Sequence, residues 1–313
     1  MEADFLDYDG WRNVRGMKVM RHLLTLLLIL CMAACEKPVL EEEGEGKETT
    51  GTKTKGNVTL NIRQLGAFSF QTIADGQTDM MPTHLNAAIY DMSGNRLKQV
   101  NQKWGDTDYG KTTMQLDAGT YQLVILAHSS EKNPAMTDLT KIQFNNSTGY
   151  TDTFLYYTTL TIGDEALSLD LTLDRIGALC RFMVSDTIPE EVTQMKFTYT
   201  GGSGHLNAQT GMGVTNSTQM LTATVQPGQE YATFDLYTFP QEEAGQIRLT
   251  ATALDAVGKA LYERKFEVPM QQDQITWLSG NFFVDEKISS GLWTATPNIP
   301  LNKWWAREVF FTY

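Results

Sequence analysis

The sequence predicts a mainly β protein whose antiparallel sheets cover each other on one face. Apolar and polar residues alternate with a period of two along several segments, and turn-rich pieces separate these segments. No segment has the 3.6-residue periodicity of a long amphipathic helix. The clearest alternation is LSLDLTLD, whose four leucines share one face: Leu167, Leu169, Leu171 and Leu173. The chain of 313 residues is long enough for two domains.

Three other segments justify further strands in the same way. They are NVTLNIR (Val58, Leu60, Ile62), TYQLVILA (Tyr121, Leu123, Ile125) and QIRLTATA (Ile247, Leu249, Ala251). In LTLDRIGALCRFMV one strand is expected to end near Asp174 and the next to begin near Ala178. We therefore predict a first β-sandwich over residues 57–175 and a second, with an aromatic tail, over residues 176–313.

Two stretches share the pattern Asp-x-x-Gly-x-x-Leu, at positions 91–97 and 255–261. Asp at the first position and Gly at the fourth are typical of a type I turn. The match indicates either two ordinary hairpins or two related modules. A second pair of matching stretches occurs in the reverse order relative to these hairpins, which argues against a strict repeat.

The N-terminal region has the layout of a signal peptide. Lys18 and Arg21 precede an apolar stretch of 12 residues, Leu23–Ala34, which is too short to cross a bilayer core of about 30 Å. The residues that follow resemble a bacterial lipobox, in which signal peptidase II recognises Met32, Ala33 and Ala34 and leaves a lipidated Cys35. The alternative is that Cys31 and Cys35 are two apolar residues of a helix.

We assign residues 1–34 to the signal peptide, with the true translation start at Met17 or Met20, because the first 16 residues are acidic. Residues 35–56 are nearly free of apolar side chains and are predicted to be a flexible tether of about 25 Å. The acidic run Glu41–Glu43 resembles the signals that send Bacteroidetes lipoproteins to the cell surface. We therefore expect a lipid-anchored protein on the outer face of the outer membrane.

Composition argues against several kinds of chemistry. The net charge of −12, with no basic cluster, makes nucleic-acid binding improbable. Three cysteines are too few for a disulfide framework or a zinc site, and Cys180 reads as a small buried hydrophobe. His84, His128 and His205 stand alone, and the Gly-rich TGGSGHLNAQTGMG lacks the context of a phosphate loop, so we read it as a flexible loop. We predict no catalytic residue, no metal site and no cofactor.

The C-terminal tail is rich in large aromatic residues, which must be buried somewhere. They pack either in the last strand of their own domain or against a partner. The residues singled out for partner binding are Trp304, Trp305, Val309, Phe310, Phe311 and Tyr313.

The order of these features resembles the fimbrial anchor lipoproteins of the Bacteroidales fimbrillin superfamily. The resemblance rests on residues 32–35 and on IYDMSGNRL, LDAGTYQLVILA, LSLDLTLDRIGALCRFMV and ITWLSGNFF, which together span most of residues 57–283. It implies two tandem transthyretin-like antiparallel β-sandwich domains, membrane attachment through Cys35 and fimbrial subunits as partners. It also implies β-strand complementation, in which an extended strand of one subunit completes the sheet of its neighbour.

The predicted function is therefore a non-enzymatic outer-membrane lipoprotein that anchors or terminates a fimbrium. An anchor is expected to keep its first strand, NVTLNIR, whereas cleavage at Arg63 would make the chain a stalk or tip subunit. A further alternative is a glycan-binding surface lipoprotein, with Trp104 or Trp293 stacking on sugar rings. A secreted hydrolase would need convergent histidines and carboxylates that the sequence does not supply.

Overall fold

The computed structural model describes residues 55–66, 68–70, 81–145, 147–243, 245–283 and 305–313. These residues belong to one compact unit of the chain, Lys53–Tyr313. The predicted signal peptide, the lipidation site Cys35 and the residues Met32, Ala33 and Ala34 lie outside the described residues, as do Trp293 and Trp304. Every regular element of the described part is a β-strand, as the alternating sequence predicts. The described part contains no helix that is long and apolar enough to span a membrane.

The N-terminal half of the unit contains the first nine strands. They are β1 Lys55–Leu65, β2 Phe68–Ser69, β3 His84–Tyr90, β4 Arg96–Lys103, β5 Lys111–Asp117, β6 Gly119–His128, β7 Ile142–Gln143, β8 Thr153–Ile162 and β9 Leu167–Arg175. One layer has the order β4-β3-β6-β8 and the other the order β5-β1-β9. The two layers join at a corner where β8 and β9 share only two residue pairs.

The C-terminal half contains the remaining strands. They are β10 Ala178–Val184, β11 Gln194–Thr200, β12 Gly202–Ser203, β13 His205–Leu206, β14 Gln219–Thr224, β15 Ala232–Pro240, β16 Gly245–Leu254, β17 Ala260–Met270, β18 Gln274–Gly280 and β19 Arg307–Thr312. One layer has the order β14-β11-β16-β17, and the other runs β12-β15-β10-β18-β19.

The two halves have the same strand order. The strands correspond in chain order: β1 to β10, β3 to β11, β4 to β14, β5 to β15, β6 to β16, β8 to β17 and β9 to β18. In each half the first and last of these strands lie side by side and run parallel. The expected sheets are therefore not purely antiparallel, because the alternation of side chains predicts strands but not the direction in which distant strands pair. Among the described strands, β19 is an additional one, next to β18.

Each half has its own apolar core between its layers. A third apolar cluster covers the outer face of β3, β6 and β8 with residues from both halves, including Phe144, Leu206 and Phe239. Strand β6 is consequently buried on both faces over most of its length, although alternation in TYQLVILA predicted one exposed face. The Gly-rich stretch after β11 supplies part of this cover, since Leu206 and Ala208 are fully buried and β13 pairs with β7. The expectation of a flexible loop there is wrong.

Candidate functional site

The C-terminal strand β19 occupies the edge of a sheet in its own chain. It pairs in parallel with β18 from Gln274 opposite Arg307 to Ser279 opposite Thr312. Residues 284–304, between the two strands, are not described. Of the two alternatives for the tail, packing within its own sheet is the one that the described residues adopt.

The inner face of β19 completes the core of the C-terminal half. Phe311 is buried, and the ring of Tyr313 lies 5.3 Å from that of Phe182 and 4.9 Å from that of Phe266. The Tyr313 hydroxyl donates a hydrogen bond to the carbonyl oxygen of Met183 at 3.0 Å. Burial raises the pKa of this hydroxyl, so that it stays protonated and remains a donor. The aromatic tail therefore contributes apolar area and one specific hydrogen bond.

On the outer face a row of side chains runs straight across four strands. Its members are direct cross-strand neighbours: Asp235 on β15, Arg181 on β10, Trp277 on β18 and Phe310 on β19. The Arg181 guanidinium donates two hydrogen bonds to the Asp235 carboxylate, at 2.6 and 2.7 Å, which raise the pKa of Arg181. The same guanidinium lies 5.0 Å from the centroid of Trp277, whose ring stacks on Phe310 at 5.6 Å. This row fastens β19 to the sheet from outside.

The start of β19 is held by Arg175, which sequence reasoning treated only as part of a link. Its side chain is 5% exposed and donates to both carboxylate oxygens of Asp152 and to Asp273 at 3.2 Å. The guanidinium carbon lies 4.1 Å from the ring centroid of Trp305 and 4.8 Å from that of Phe154. The available signal was a charged residue inside the otherwise apolar stretch that joins the two halves.

Within the described residues, the N-terminal half has no strand at the edge that corresponds to the one occupied by β19 in the C-terminal half. Strand β9 corresponds to β18, and it pairs with β1 on one side along Leu167–Leu173. On its other side, β9 has no described partner strand before Asp174 and Arg175, which pair with β8. Leu167 and Leu169 are only partly buried there, while Leu171 and Leu173 are buried. As far as the described part of the chain extends, this edge offers backbone groups without a partner strand and an incompletely covered row of leucines.

The other predicted site residues have the following environments. Arg63 lies inside β1, at an irregularity in the pairing with β9, and its exposed side chain forms an ion pair with Asp170 at 3.0 Å. Trp305 is buried, and Val309 and Phe310 are partly buried. Cys180 is a buried free thiol, as expected.

Two of the histidines, His84 and His128, lie together, whereas His205 hydrogen-bonds Thr215 elsewhere. His128 is fully buried, and its Nε2 hydrogen-bonds Asn86 at 2.7 Å while Nδ1 accepts from the backbone N–H of Ser130 at 3.1 Å. The ring of His84 stacks on it at 5.3 Å. Burial, followed by repulsion from His84, lowers the pKa of His128 to about 3. Both ring nitrogens of neutral His128 are thus engaged with the protein, whereas Nε2 of His84 is buried without a hydrogen-bond partner. No group of metal-binding side chains occurs among the described residues.

Comparisons with known proteins give a family and a set of similar folds. A family model described as a family of unknown function (DUF6562) matches residues 50–310, whereas no curated protein matches the chain. A solved structure of a candidate adhesin from Bacteroides ovatus is similar, with 17% identity, a TM-score of 0.48, and coverage of 72% of this chain and 88% of that chain.

Two further solved structures are fimbrial proteins. The fimbrial anchor protein Mfa2 from Porphyromonas gingivalis has 12% identity and a TM-score of 0.40, covering 67% of this chain and 82% of that chain. A fimbrial assembly protein from Parabacteroides distasonis has 12% identity and a TM-score of 0.36, covering 69% and 86%.

Proposed function

We propose a function for this chain, which belongs to the DUF6562 family of unknown function, from the geometry of its strand edges. It is a non-enzymatic component of a fimbrium that binds a fimbrial subunit by β-strand addition. Lipid on Cys35 holds it at the outer membrane. The single observation that carries this proposal is the difference between the two halves: β18 has an added parallel strand, and the corresponding edge of β9 has no described partner along Leu167–Leu173.

An extended strand with alternating apolar side chains fits the β9 edge. Its backbone would pair with the free edge of β9, and its apolar residues would complete the cover of Leu167 and Leu169. The exposed polar residues between the leucines, Ser168, Asp170 and Thr172, point to the other face and would remain in water. The edge thus supports affinity from the backbone and specificity from one face of the incoming strand.

The position of β1 supports an anchoring or terminating role. This strand lies between β5 and β9, and its residues Val58, Leu60 and Ile62 are buried in the core. A chain that keeps β1 can receive a strand at the β9 edge without losing one of its own. Cleavage at Arg63 would instead remove this part of β1, which is the stalk or tip alternative.

The test is site-specific photo-crosslinking in the native membrane. A photoreactive phenylalanine analogue replaces Thr172, which is exposed on β9, and in a matched variant it replaces Thr222, which is exposed on the edge strand β14. We expect a fimbrial subunit to crosslink to position 172 and not to position 222. Equal crosslinking at both positions, or none at 172 while fimbriae are intact, would contradict the proposal.

Lipid attachment is tested separately. Mass spectrometry of the mature protein should show an N-terminal cysteine at position 35 carrying acyl chains, and Cys35→Ala should release the protein from the membrane. An unmodified thiol at that position would remove the anchor from the proposal and leave strand addition standing.

Glycan binding is the second candidate, because Trp104 is 41% exposed. The indole is held edge-on by Tyr109 at 5.3 Å, which leaves part of its surface free for a sugar ring. A glycan array should then show saturable binding that Trp104→Ala abolishes. Unchanged binding in that variant would exclude Trp104 as the contact.

A further inference from the structure

The hairpin between β3 and β4 presents a rigid tip with exposed apolar side chains. Asp91 Oδ1 accepts hydrogen bonds from the backbone N–H groups of Ser93 and Asn95, at 2.9 and 2.8 Å. Gly94 has a φ of 86°, which only glycine adopts readily, and its N–H bonds the carbonyl of Asp91. Next to this fixed turn, Met92 is 58% exposed and Leu97 is 50% exposed. Because the backbone of the turn is already fixed, covering the side chains that it carries costs little further backbone entropy.

This tip lies at the end of the N-terminal half where the chain enters β1. Lys55 is opposite Asp117 at the end of β5, and the hydroxyl of Tyr121 donates to the carbonyl of Asp117 at 2.9 Å. The next residue, Gln122, donates to the carbonyl of Asp91 at 3.0 Å. These contacts connect the first residue of β1 to the hairpin across the strand ends. Only about 20 residues separate Cys35 from Lys55.

The charges around the tip allow it to approach a lipid surface. Arg96 follows the turn, and Lys98 donates from Nζ to the carbonyl of Gln115. The Asp91 carboxylate accepts three hydrogen bonds from Ser93 and Asn95, which lower its pKa. Among the described residues, the other acidic side chains at this end are Asp117, at the end of β5, and Asp164 and Glu165, between β8 and β9. Because positive and negative side chains occur together around the tip, apolar contact with the bilayer is favoured over electrostatic attraction to anionic lipid.

We propose that the tip formed by Met92 and Leu97 contacts the lipid bilayer and orients the tethered protein on it. This inference rests on the proposed lipid attachment at Cys35. Two apolar side chains bind a bilayer weakly, but the tether that the sequence predicts for residues 35–56 would raise the local concentration of the membrane to the millimolar range. The contact therefore forms only in the lipidated protein, and it fixes which end of the N-terminal half faces the membrane.

The experiment uses full-length lipidated protein in phosphatidylcholine vesicles. Met92→Cys carries a polarity-sensitive fluorophore. The matched control is Val257→Cys, which takes the place of Ser93 in the second Asp-x-x-Gly hairpin and whose side chain is 87% exposed. The buried thiol of Cys180 is not expected to react with the label under native conditions. We expect a severalfold increase in emission at position 92 on vesicle binding, quenching by spin-labelled lipid, and no change at position 257.

The outcomes separate this inference from the proposed anchor. If the protein floats with the vesicles but position 92 behaves like position 257, the tip inference is wrong and the anchor stands. If the lipidated protein does not float with vesicles, or the Cys35→Ala variant floats equally well, the anchor fails and the tip inference fails with it. Protection of position 92 without quenching by spin-labelled lipid would identify a protein contact and would also overturn the proposal.

Discussion

Arg175 joins four parts of the chain through one guanidinium group. Its ion pairs reach Asp152 before β8 and Asp273 before β18, and its flat face contacts Trp305 before β19. Asp273 also binds the tail directly, since its carbonyl accepts the backbone N–H of Arg307. A buried cation of this kind stabilises only while its anionic partners are present, and the partners depend on it equally.

Replacing Arg175 is therefore expected to be costly. Arg175→Met should lower the free energy of unfolding by about 3 to 5 kcal/mol, because it leaves carboxylates partly buried without their cation. The matched control is Arg248→Met, whose ion pair with Glu267 is exposed and should change stability by less than about 0.5 kcal/mol. Urea denaturation measures both. Equal losses in the two variants would contradict the role given to Arg175.

His128 makes stability depend on pH in a defined direction. Its pKa is about 3 in the folded protein against 6.5 ordinarily, so between these values the unfolded chain binds more protons and a fall in pH favours unfolding. The stability is complete above pH 6.5 and is lost at up to about 1.4 kcal/mol per pH unit below it. Between pH 7 and 4.5, wild type should lose roughly 2 to 3 kcal/mol more than His128→Gln, measured by urea denaturation. Parallel pH profiles of the two proteins would show that His128 is not the source.

At the scale of elements, alternation located strands but not their neighbours. NVTLNIR, TYQLVILA, LSLDLTLD and QIRLTATA all lie in strands, and the break near Asp174 separates β9 from β10. The parallel pairing of β1 with β9 and the position of β19 depend on contacts between distant residues, which leave no periodic signal. Only part of the candidate site could therefore be predicted from the sequence. The composition of the C-terminal tail identified its aromatic residues, whereas the β9 edge without a described partner is recognised only by comparing the two halves of the structure.

Substitutions in β19 measure how much this single strand contributes to the free energy of unfolding. Phe311→Ala should lower the free energy of unfolding by about 3 kcal/mol, because the ring is buried in the core of the C-terminal half. Thr312→Ala, on the exposed face of the same strand, should change it by less than about 0.5 kcal/mol. Urea denaturation measures stability, and hydrogen exchange over Arg307–Tyr313 reports whether β19 detaches first. Identical exchange in wild type and Phe311→Ala would mean that Phe311 does not hold the strand.

At the scale of the whole molecule, one strand order is used twice, although the sequence matches do not align with it. The Asp-x-x-Gly hairpins lie between β3 and β4 and between β16 and β17, which are not corresponding pairs. Both nevertheless form the same turn, in which one Asp carboxylate oxygen accepts two backbone N–H groups. The repeated pattern therefore reflects turn chemistry, and the similarity of the halves is one of topology.

The position of β1 makes the whole N-terminal half depend on its first strand. A chain that lacks residues 1–65 loses pairing to both β5 and β9 and opens a groove lined by buried residues such as Met114 and Leu171. We expect this truncated chain to self-associate in size-exclusion chromatography and to bind a hydrophobic dye. The peptide KGNVTLNIRQL, residues 55–65, should restore a monomer, because it supplies both rows of backbone hydrogen bonds. The same peptide with Leu60→Glu should fail, since this side chain is buried. A truncated chain that is monomeric and free of dye without peptide would show that β1 is dispensable, and it would then favour a subunit that functions after cleavage at Arg63.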